Sequence, residues 1–359
     1  MKRRSFINSA LATAALASPA GRALAGAHAS SAAASDINAI RLDGSETTIE
    51  RAVLNELAKS LNGNLLLPSS DGYDAARKIW NGMVQKRPAV IVQCTNASDI
   101  TNAVNLARDY NLLTSIRGGG HSIAGKALAD GGLTIDCSPM QNVSVDPDAR
   151  SALVGPGVLL GGVDAATQPY GLATPAGVVS HTGAAGLTLG GGFGKLSRTH
   201  GLTSDNVRAI ELITPDGQFR RATVSENPDL FWGLRGAGAN FGVVTQFEYQ
   251  LHPVGTDFLH GAAMHPITNA RDVLAFWGEL LTKVPNEVDM SCSVIMFPNG
   301  KGFASVSGFY MGDPADGEKA LEPIMSYGKP MAVNFKVKKY IDIQKETDRN
   351  VPHGQQYYQ

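Results

Sequence analysis

The sequence predicts an α+β fold in two domains, and three patterns support this class. A strand, a helix and a strand follow one another between residues 89 and 116. Residues 209–214 and 243–249 alternate as strands do, and Asp216-Gly217 is a hairpin signal after the first of them. Two runs between residues 288 and 309 form a further predicted antiparallel pair. With 359 residues, of which 43% are hydrophobic, the chain can bury both cores.

Charge and cysteine content exclude several classes of partner. The formal net charge is -1, from 31 basic and 32 acidic residues, and no sustained basic stripe is present. Neither nucleic acid nor an anionic membrane is therefore expected as a partner. Cys94, Cys137 and Cys292 lie far apart without C-x-x-C spacing, which argues against a zinc site or a disulfide framework.

Residues 1–29 have the pattern of a bacterial secretion signal. Lys2-Arg3-Arg4 precedes an apolar run over 10–17, and small-residue cleavage sites follow at 23–25 and 27–29. The paired arginines resemble a twin-arginine signal, and an ordinary signal with incidental arginines is the alternative. Either signal predicts an exported protein, periplasmic or extracellular.

The segment after the signal contains helical and strand patterns in turn. Apolar residues over 45–62 recur at helical spacing and predict an amphipathic helix. A compact apolar strand covers 89–92, a helix capped by Asn96 or Ser98 follows, and a second strand covers 112–116. Parallel pairing of the two strands through a right-handed crossover is expected.

A glycine-rich turn with one histidine, residues 117–125, follows the second strand. Another strand-like run over 131–136 comes after it, so the turn joins strands and opens no helix. This excludes the G-x-G-x-x-G dinucleotide fingerprint, which needs a helix next, and no Walker A sequence is present. Consecutive glycines let backbone N–H groups approach an anion closely, so a large anionic ligand is expected here.

Two more glycine-rich clusters follow, over 182–194 and over 231–242. The first of these continues through Gly201-Leu202-Thr203-Ser204-Asp205-Asn206-Val207. Tight packing between elements would explain each cluster alone. Three clusters in one region favour a shared, extended ligand.

The three clusters together resemble the FAD-linked oxidases related to berberine bridge enzyme, which have the vanillyl-alcohol-oxidase or PCMH-type FAD-binding fold. The resemblance rests on Arg117-Gly-Gly-Gly-His121-Ser122, on Leu189-Gly-Gly-Gly-Phe-Gly194 with Gly201-Leu-Thr-x-Asp-Asn206, and on Asn227-Pro-Asp-Leu-Phe-Trp232 with Asn240-Phe-Gly-Val-Val. It implies a two-lobed FAD-binding domain over 84–255, with 30–83 as its N-terminal part, and a substrate domain from 256 to 359 with a mixed or antiparallel sheet covered by helices.

The resemblance also implies which residues hold FAD. The matching residues are Arg117, Gly118, Gly119, Gly120, His121, Ser122, Gly183, Gly186, Gly190, Gly191, Gly192, Gly194, Asn206, Val207 and Val244. The resemblance further implies a covalent bond from His121 to the flavin 8α-methyl, and the chemistry agrees, since a neutral imidazole nitrogen is nucleophilic and neighbouring glycines give it room. A histidine hydrogen-bonded only within its loop is the alternative.

The chain departs from the family pattern in two places. Many relatives form a second covalent bond from a cysteine, and Val179 occupies that position here, so a single link through His121 is expected. His181 is interpreted as a pocket residue or a loop hydrogen-bonding group. The family continues beyond the position of Gln359 with further substrate-domain structure that often carries the catalytic base, which predicts a truncated reading frame or fragment.

Residues 256–359 are predicted to form the first part of the substrate domain. Residues 270–284 and 316–327 are predicted helices, and 288–296 pairs with 302–309. No residue here is assigned as the base: Tyr310, Tyr357 and Tyr358 match no family motif.

The predicted activity is oxidation of a small molecule. A hydride from a carbon next to an alcohol oxygen or an amine nitrogen reaches flavin N5, and O2 takes the electrons and gives H2O2. A serine hydrolase with Ser122 as nucleophile is one alternative, because Gly120-His-Ser-Ile-Ala124 approaches the G-x-S-x-G pattern. A catalytically incomplete flavin-binding fragment is another. A metal site of His121, His181 and His200 has no supporting spacing.

Overall fold

The computed structural model describes residues 33–358. The predicted secretion signal, residues 1–29, lies outside the described residues. Within 33–358, no helix is both long enough and apolar enough to cross a bilayer. The chain is organised around three β-sheets with helices packed on them, in the order first lobe, second lobe and third part.

The first lobe, residues 33–142, is built on a four-stranded sheet. Its elements are β1 (Ile37–Ile40), β2 (Glu46–Ile49), α1 (Arg51–Ser60), β3 (Asn64–Leu66), α2 (Tyr73–Ala76), β4 (Val90–Gln93), α3 (Ala97–Asp109), β5 (Thr114–Arg117) and β6 (Leu133–Asp136). The strand order is β3-β4-β6-β5, and β6 is parallel to both β4 and β5. The predicted cap of α3 is confirmed, since the Asn96 side chain accepts a hydrogen bond from the Asp99 N–H at 3.0 Å.

One prediction for this lobe is confirmed only in part, and another is wrong. The helix predicted over 45–62 covers only Arg51–Ser60, because Glu46–Ile49 instead pairs antiparallel with β1. The β-branched Thr47, Thr48 and Ile49 favour this strand. The two strands expected to pair directly are separated by β6. All four residues of β6 are buried, as a central strand requires, whereas β5 is partly exposed and suits the sheet edge.

The second lobe, residues 143–255, contains an antiparallel five-stranded sheet. Its elements are β7 (Val143–Asp146), β8 (Ser151–Val154), α4 (Leu160–Thr167), β9 (Leu172–Ala173), α5 (Ala184–Leu189), α6 (Ser197–His200), β10 (Val207–Ile213), β11 (Phe219–Thr223), α7 (Pro228–Ala237), β12 (Val243–Gln250) and β13 (His252–Pro253). The strand order is β11-β10-β12-β8-β7, and β10 and β11 form the predicted hairpin around Asp216-Gly217.

The third part, residues 256–358, contains one antiparallel sheet and three helices. Its elements are β14 (Asp257–Pro266), α8 (Ala270–Leu281), β15 (Val288–Met296), β16 (Gly302–Tyr310), α9 (Pro314–Ser326), β17 (Ala332–Val333), β18 (Lys336–Lys339) and α10 (Tyr340–Lys345). The predicted helices and the predicted pairing of β15 with β16 are confirmed.

The two faces of the third sheet have different partners. One face, with Leu259 and Val306, packs in a core beneath α8 and α9. The other face carries Phe258 and Phe309, which pack with Leu196 of the second lobe. The third part therefore closes against the second lobe next to the glycine-rich segment that ends at residue 194.

Candidate cofactor site

The first two glycine-rich segments cross each other with their backbones in direct contact. A Cβ on Gly119 would lie 2.4 Å from the Gly183 Cα, and a Cβ on Gly183 would lie 2.5 Å from the Gly119 nitrogen. A Cβ on Gly118 would lie 2.7 Å from the Pro156 carbonyl oxygen. These distances are far below van der Waals contact, so only glycine allows the crossing.

The first segment leaves the sheet at the carboxyl end of β5. It returns to β6 without forming a helix, as the sequence predicts. Gly120 has a φ of +68°, which favours glycine. The Arg117 guanidinium donates to the Ala76 carbonyl, and its Nη1 lies 3.7 Å from the buried Asp136 carboxylate. The Arg117 side chain therefore anchors the end of β5.

His121 lies between two rings. Its imidazole stacks on Trp80 with centroids 4.2 Å apart and planes 16° apart. Its Nε2 lies 3.0 Å from Nδ1 of His181, which confirms His181 as a hydrogen-bonding group. Burial, reinforced by His181 and His353, lowers the pKa of His121 to about 4. His121 is therefore neutral at pH 7, as a nucleophilic imidazole must be.

Three residues of the third part lie near His121 or its neighbour Trp80, and of these only Tyr357 was considered from the sequence. Asp348 accepts hydrogen bonds from the backbone N–H and the hydroxyl of Ser180, the residue before His181. The His353 ring lies 4.7 Å from the His181 ring. Tyr357 stacks on the far face of Trp80 with centroids 3.7 Å apart. These contacts join segments separated by more than 150 residues, and no local pattern indicates them.

The glycines of the second segment divide into two groups. Gly192 and Gly194 are required by packing, because a Cβ would lie 2.5 Å from the Thr203 hydroxyl and 1.7 Å from the Ala176 carbonyl oxygen, respectively. Gly191 has a φ of +102°. A Cβ on Gly186 would meet nothing within 4 Å, and one on Gly190 would meet nothing closer than 3.5 Å. Gly186 and Gly190 are exposed and leave open space where a ligand can approach the backbone.

Asn206, Val207 and Val244 are all buried. The Asn206 amide donates to the carbonyls of His200 and Leu202, both at 2.8 Å, and its oxygen lies 2.6 Å from the His252 Nε2. Val207 and Val244 pack in the core of the second lobe. The side chains of these three residues therefore shape the turn, and only their backbone is available to a cofactor.

Packing explains the glycines of the third cluster. A Cβ on Gly233 would lie 2.8 Å from the Phe241 ring, and one on Gly238 would lie 2.4 Å from Leu189. The third cluster therefore packs α7 and the turn after it against Leu189 of the second segment.

The alternative sites have little structural support. Ser122 accepts a hydrogen bond from the Lys126 N–H at 3.0 Å, and no helix follows it, so the nucleophile elbow is absent. Among residues 33–358, no group of three potential ligands could hold a metal ion. Of the three tyrosines considered as bases, Tyr310 packs in the α8–α9 core and Tyr358 is 76% exposed. Tyr357 is the one close to His121, with Trp80 between them.

The site fits a large anionic cofactor with a reactive edge. The first segment presents backbone N–H groups, and the second has solvent-exposed glycines with free space beside them. The neutral His121 lies where the two segments cross. Buried polar atoms also lack partners here: Nε2 of His181 and of His200, and the Thr203 hydroxyl. Buried polar groups are normally hydrogen-bonded, so these atoms suit ligand contacts. Together with the two lobes and the adjoining sheet, these features are the ones that the resemblance to flavin-dependent oxidoreductases implies.

Comparison with known proteins identifies the family. An FAD-binding domain model matches residues 88–223. The chain is 37% identical over 310 residues to an FAD-linked oxidoreductase of Dictyostelium discoideum. The aligned region covers 86% of this chain and 67% of that protein. It is 38% identical over 202 residues to (R)-6-hydroxynicotine oxidase of Paenarthrobacter nicotinovorans. The aligned region covers 56% of this chain and 44% of that protein. The chain therefore belongs to the FAD-linked oxidoreductase family.

Solved structures agree with this assignment. The crystal structure of 6-hydroxy-D-nicotine oxidase from Arthrobacter nicotinovorans superposes with a TM-score of 0.77 at 30% identity, over 82% of this chain and 66% of that one. Physcomitrella patens BBE-like 1 gives a TM-score of 0.75 at 26% identity, over 84% of this chain and 68% of that one. The predicted resemblance and fold class are confirmed. The match spans 44% to 68% of the lengths of these four proteins.

Proposed function

We propose that this protein is an oxidase that holds FAD through one covalent bond to His121 and oxidises a small alcohol or amine. The observation that supports this best is the neutral His121 at the crossing of the two glycine-rich segments. Sugar and nicotine oxidases occur among the similar proteins, and both act on small molecules. Val179 has no group that could bond to a flavin carbon, which favours a single link.

Each part of the site has a role in this proposal. Backbone N–H groups of Gly118 to Ser122 would hold the pyrophosphate, and the open backbone at Gly186 and Gly190 would accept the body of the cofactor. His121 is uncharged at neutral pH, because its pKa is lowered to about 4, so one of its two ring nitrogens has a free electron pair. The third sheet, which packs on Leu196 beside the second segment, would cover one side of the bound cofactor. The chemistry that FAD supplies when bound is hydride acceptance at N5 and transfer of two electrons to O2, which yields H2O2.

Acid denaturation tests the covalent bond. Yellow colour and flavin fluorescence should stay with the wild-type polypeptide and leave the His121→Ala variant, which should still bind FAD before denaturation. Release of flavin from the denatured wild type would remove the covalent role of His121 and keep the family. Peroxide formation with a panel of sugars, secondary alcohols and cyclic amines then tests the oxidase activity.

Export is a separate proposal that rests on residues 1–29 alone. A fusion of this segment to a reporter that folds before export should reach the periplasm, and Arg3→Lys with Arg4→Lys should retain it in the cytoplasm. Export of the double variant would show that the twin-arginine route is not used.

A further inference from the structure

The proposed function assigns no role to the hydrogen bond between His121 and His181. We propose that His181 is the positioning residue for covalent flavin attachment: it fixes the tautomer of His121 and accepts the proton of its Nε2 while Nδ1 bonds to the flavin. This inference rests on the proposed covalent role of His121. It is carried by the 3.0 Å distance between His121 Nε2 and His181 Nδ1.

The hydrogen bond decides which nitrogen of His121 can react. A neutral imidazole carries one proton, on either Nδ1 or Nε2. When His121 carries it on Nε2, this nitrogen donates to His181 Nδ1, and His121 Nδ1 keeps a free electron pair. An imidazole that has reacted through Nδ1 must lose the Nε2 proton to become neutral again. His181 Nδ1 is the atom in line to take that proton.

The atoms and electrons of the attachment step balance. The bond between His121 Nδ1 and the flavin 8α carbon would form, and one C–H bond of the 8α methyl would break, with its proton released to solvent. The Nε2 proton of His121 moves to His181 Nδ1, and His181 releases a proton from its own Nε2. Two electrons enter the flavin ring system and pass to O2, which takes up two protons and leaves as H2O2. One H2O2 should therefore appear for each covalent bond formed.

The surroundings hold the two histidines in this arrangement. Trp80 stacks on the face of His121 and restricts rotation of its ring. The hydrogen bonds from Ser180 to Asp348 fix the backbone immediately before His181. The Nε2 of His181 is buried and has no hydrogen-bond partner in the described structure. After His181 accepts a proton on Nδ1, it must release one from this Nε2. A group on the bound cofactor or a water molecule would accept that proton.

The test measures attachment directly. Apoprotein made in a riboflavin-requiring host is mixed with FAD, and samples are denatured in acid over time to measure the flavin retained by the polypeptide. His181→Ala should bind FAD and attach it up to about tenfold more slowly than the wild type, the scale of one lost hydrogen bond. His181→Gln keeps a hydrogen-bonding group without a proton acceptor and should fall between the two. His265→Ala is the matched control, because this histidine of the third part packs edge-on against Tyr327, away from His121 and His181, and the variant should attach FAD at the wild-type rate.

Added imidazole separates a proton acceptor from a merely structural residue. The attachment rate of His181→Ala should rise with imidazole concentration, whereas the wild-type rate should stay constant. Attachment by His181→Ala at the wild-type rate would overturn the proposal and leave the covalent role of His121 intact. A slow variant that imidazole does not accelerate would overturn the proton-accepting role. A wild type that binds FAD without covalent attachment would overturn both this inference and the covalent link.

Discussion

Replacing Gly119 by alanine is expected to destabilise the apoprotein. The new Cβ would lie 2.4 Å from the Gly183 Cα, whereas carbon atoms in contact lie roughly 3.5–4.0 Å apart, so the two segments must separate by more than about 1 Å. Forcing an extra methyl group into a tightly packed site costs about 1–3 kcal/mol. For a protein of this size, each kcal/mol shifts the unfolding midpoint by about 2 °C, so a decrease of about 2–6 °C is expected.

The matched control is Gly186→Ala. A Cβ at this position meets nothing within 4 Å, and the residue lies inside α5, where alanine is favoured over glycine by about 0.5–1 kcal/mol. Its apoprotein should melt at or slightly above the wild-type midpoint, while FAD binding weakens because the methyl group fills the open space. Thermal unfolding of both apoproteins and titration with FAD measure the two effects. A Gly119→Ala apoprotein that melts like the wild type would refute the argument that the crossing requires glycine.

Three further predictions follow from the same surroundings. Because its pKa is lowered to about 4, His121 should keep its nucleophilic form from pH 8 down to pH 5, so FAD attachment should slow only as the pH falls toward 4; a midpoint near 6.5 would contradict this. Tyr357→Ala should lower the unfolding midpoint by about 2 °C, because it removes the stack on Trp80, which contributes about 1 kcal/mol. The exposed Tyr358 is the control, and Tyr358→Ala should leave the midpoint unchanged. Equal midpoints for the two variants would refute a stabilising role for the stack. In the native protein only Cys292 should react with a thiol reagent, because the other two thiols are buried; three should react after unfolding, and a Cys292→Ser variant serves as the control.

Local signals in the sequence predict much of the fold. The strands of the hairpin around Asp216-Gly217, the cap at Asn96 and the helix over 314–326 depend on neighbouring residues, and each is found close to its predicted position. The error over 46–49 has a physical cause. Ile49 suits either the apolar face of a helix or a buried strand, and pairing with β1 decides between them. The position of β6 between β4 and β5 is likewise set by burial across the whole sheet.

The sequence predicts the composition of the candidate site better than its geometry. The glycines and His121 could be identified because their motifs are contiguous in the chain. The contact of Gly119 with Gly183, and that of His121 with His181, join segments about 60 residues apart, and the sequence carries no spacing rule for them. The sequence did not indicate that Trp80 belongs to the site. It lies well before the glycine-rich turn that begins at Arg117, and a single tryptophan is equally typical of a core.

The third part of the chain contributes contacts to the candidate FAD site. The Gln344 side chain donates to the Gly177 carbonyl at 3.0 Å, Asp348 binds Ser180, and the Trp80 indole donates to the Val351 carbonyl at 2.8 Å. The first two bonds lie on either side of Val179 and fix the segment that leads into His181. All three span more than 160 residues, so they form only after the third part has docked on the two lobes. The segment that leads into His181 should therefore be fixed late in folding, and the covalent attachment that we propose should follow assembly of the whole site.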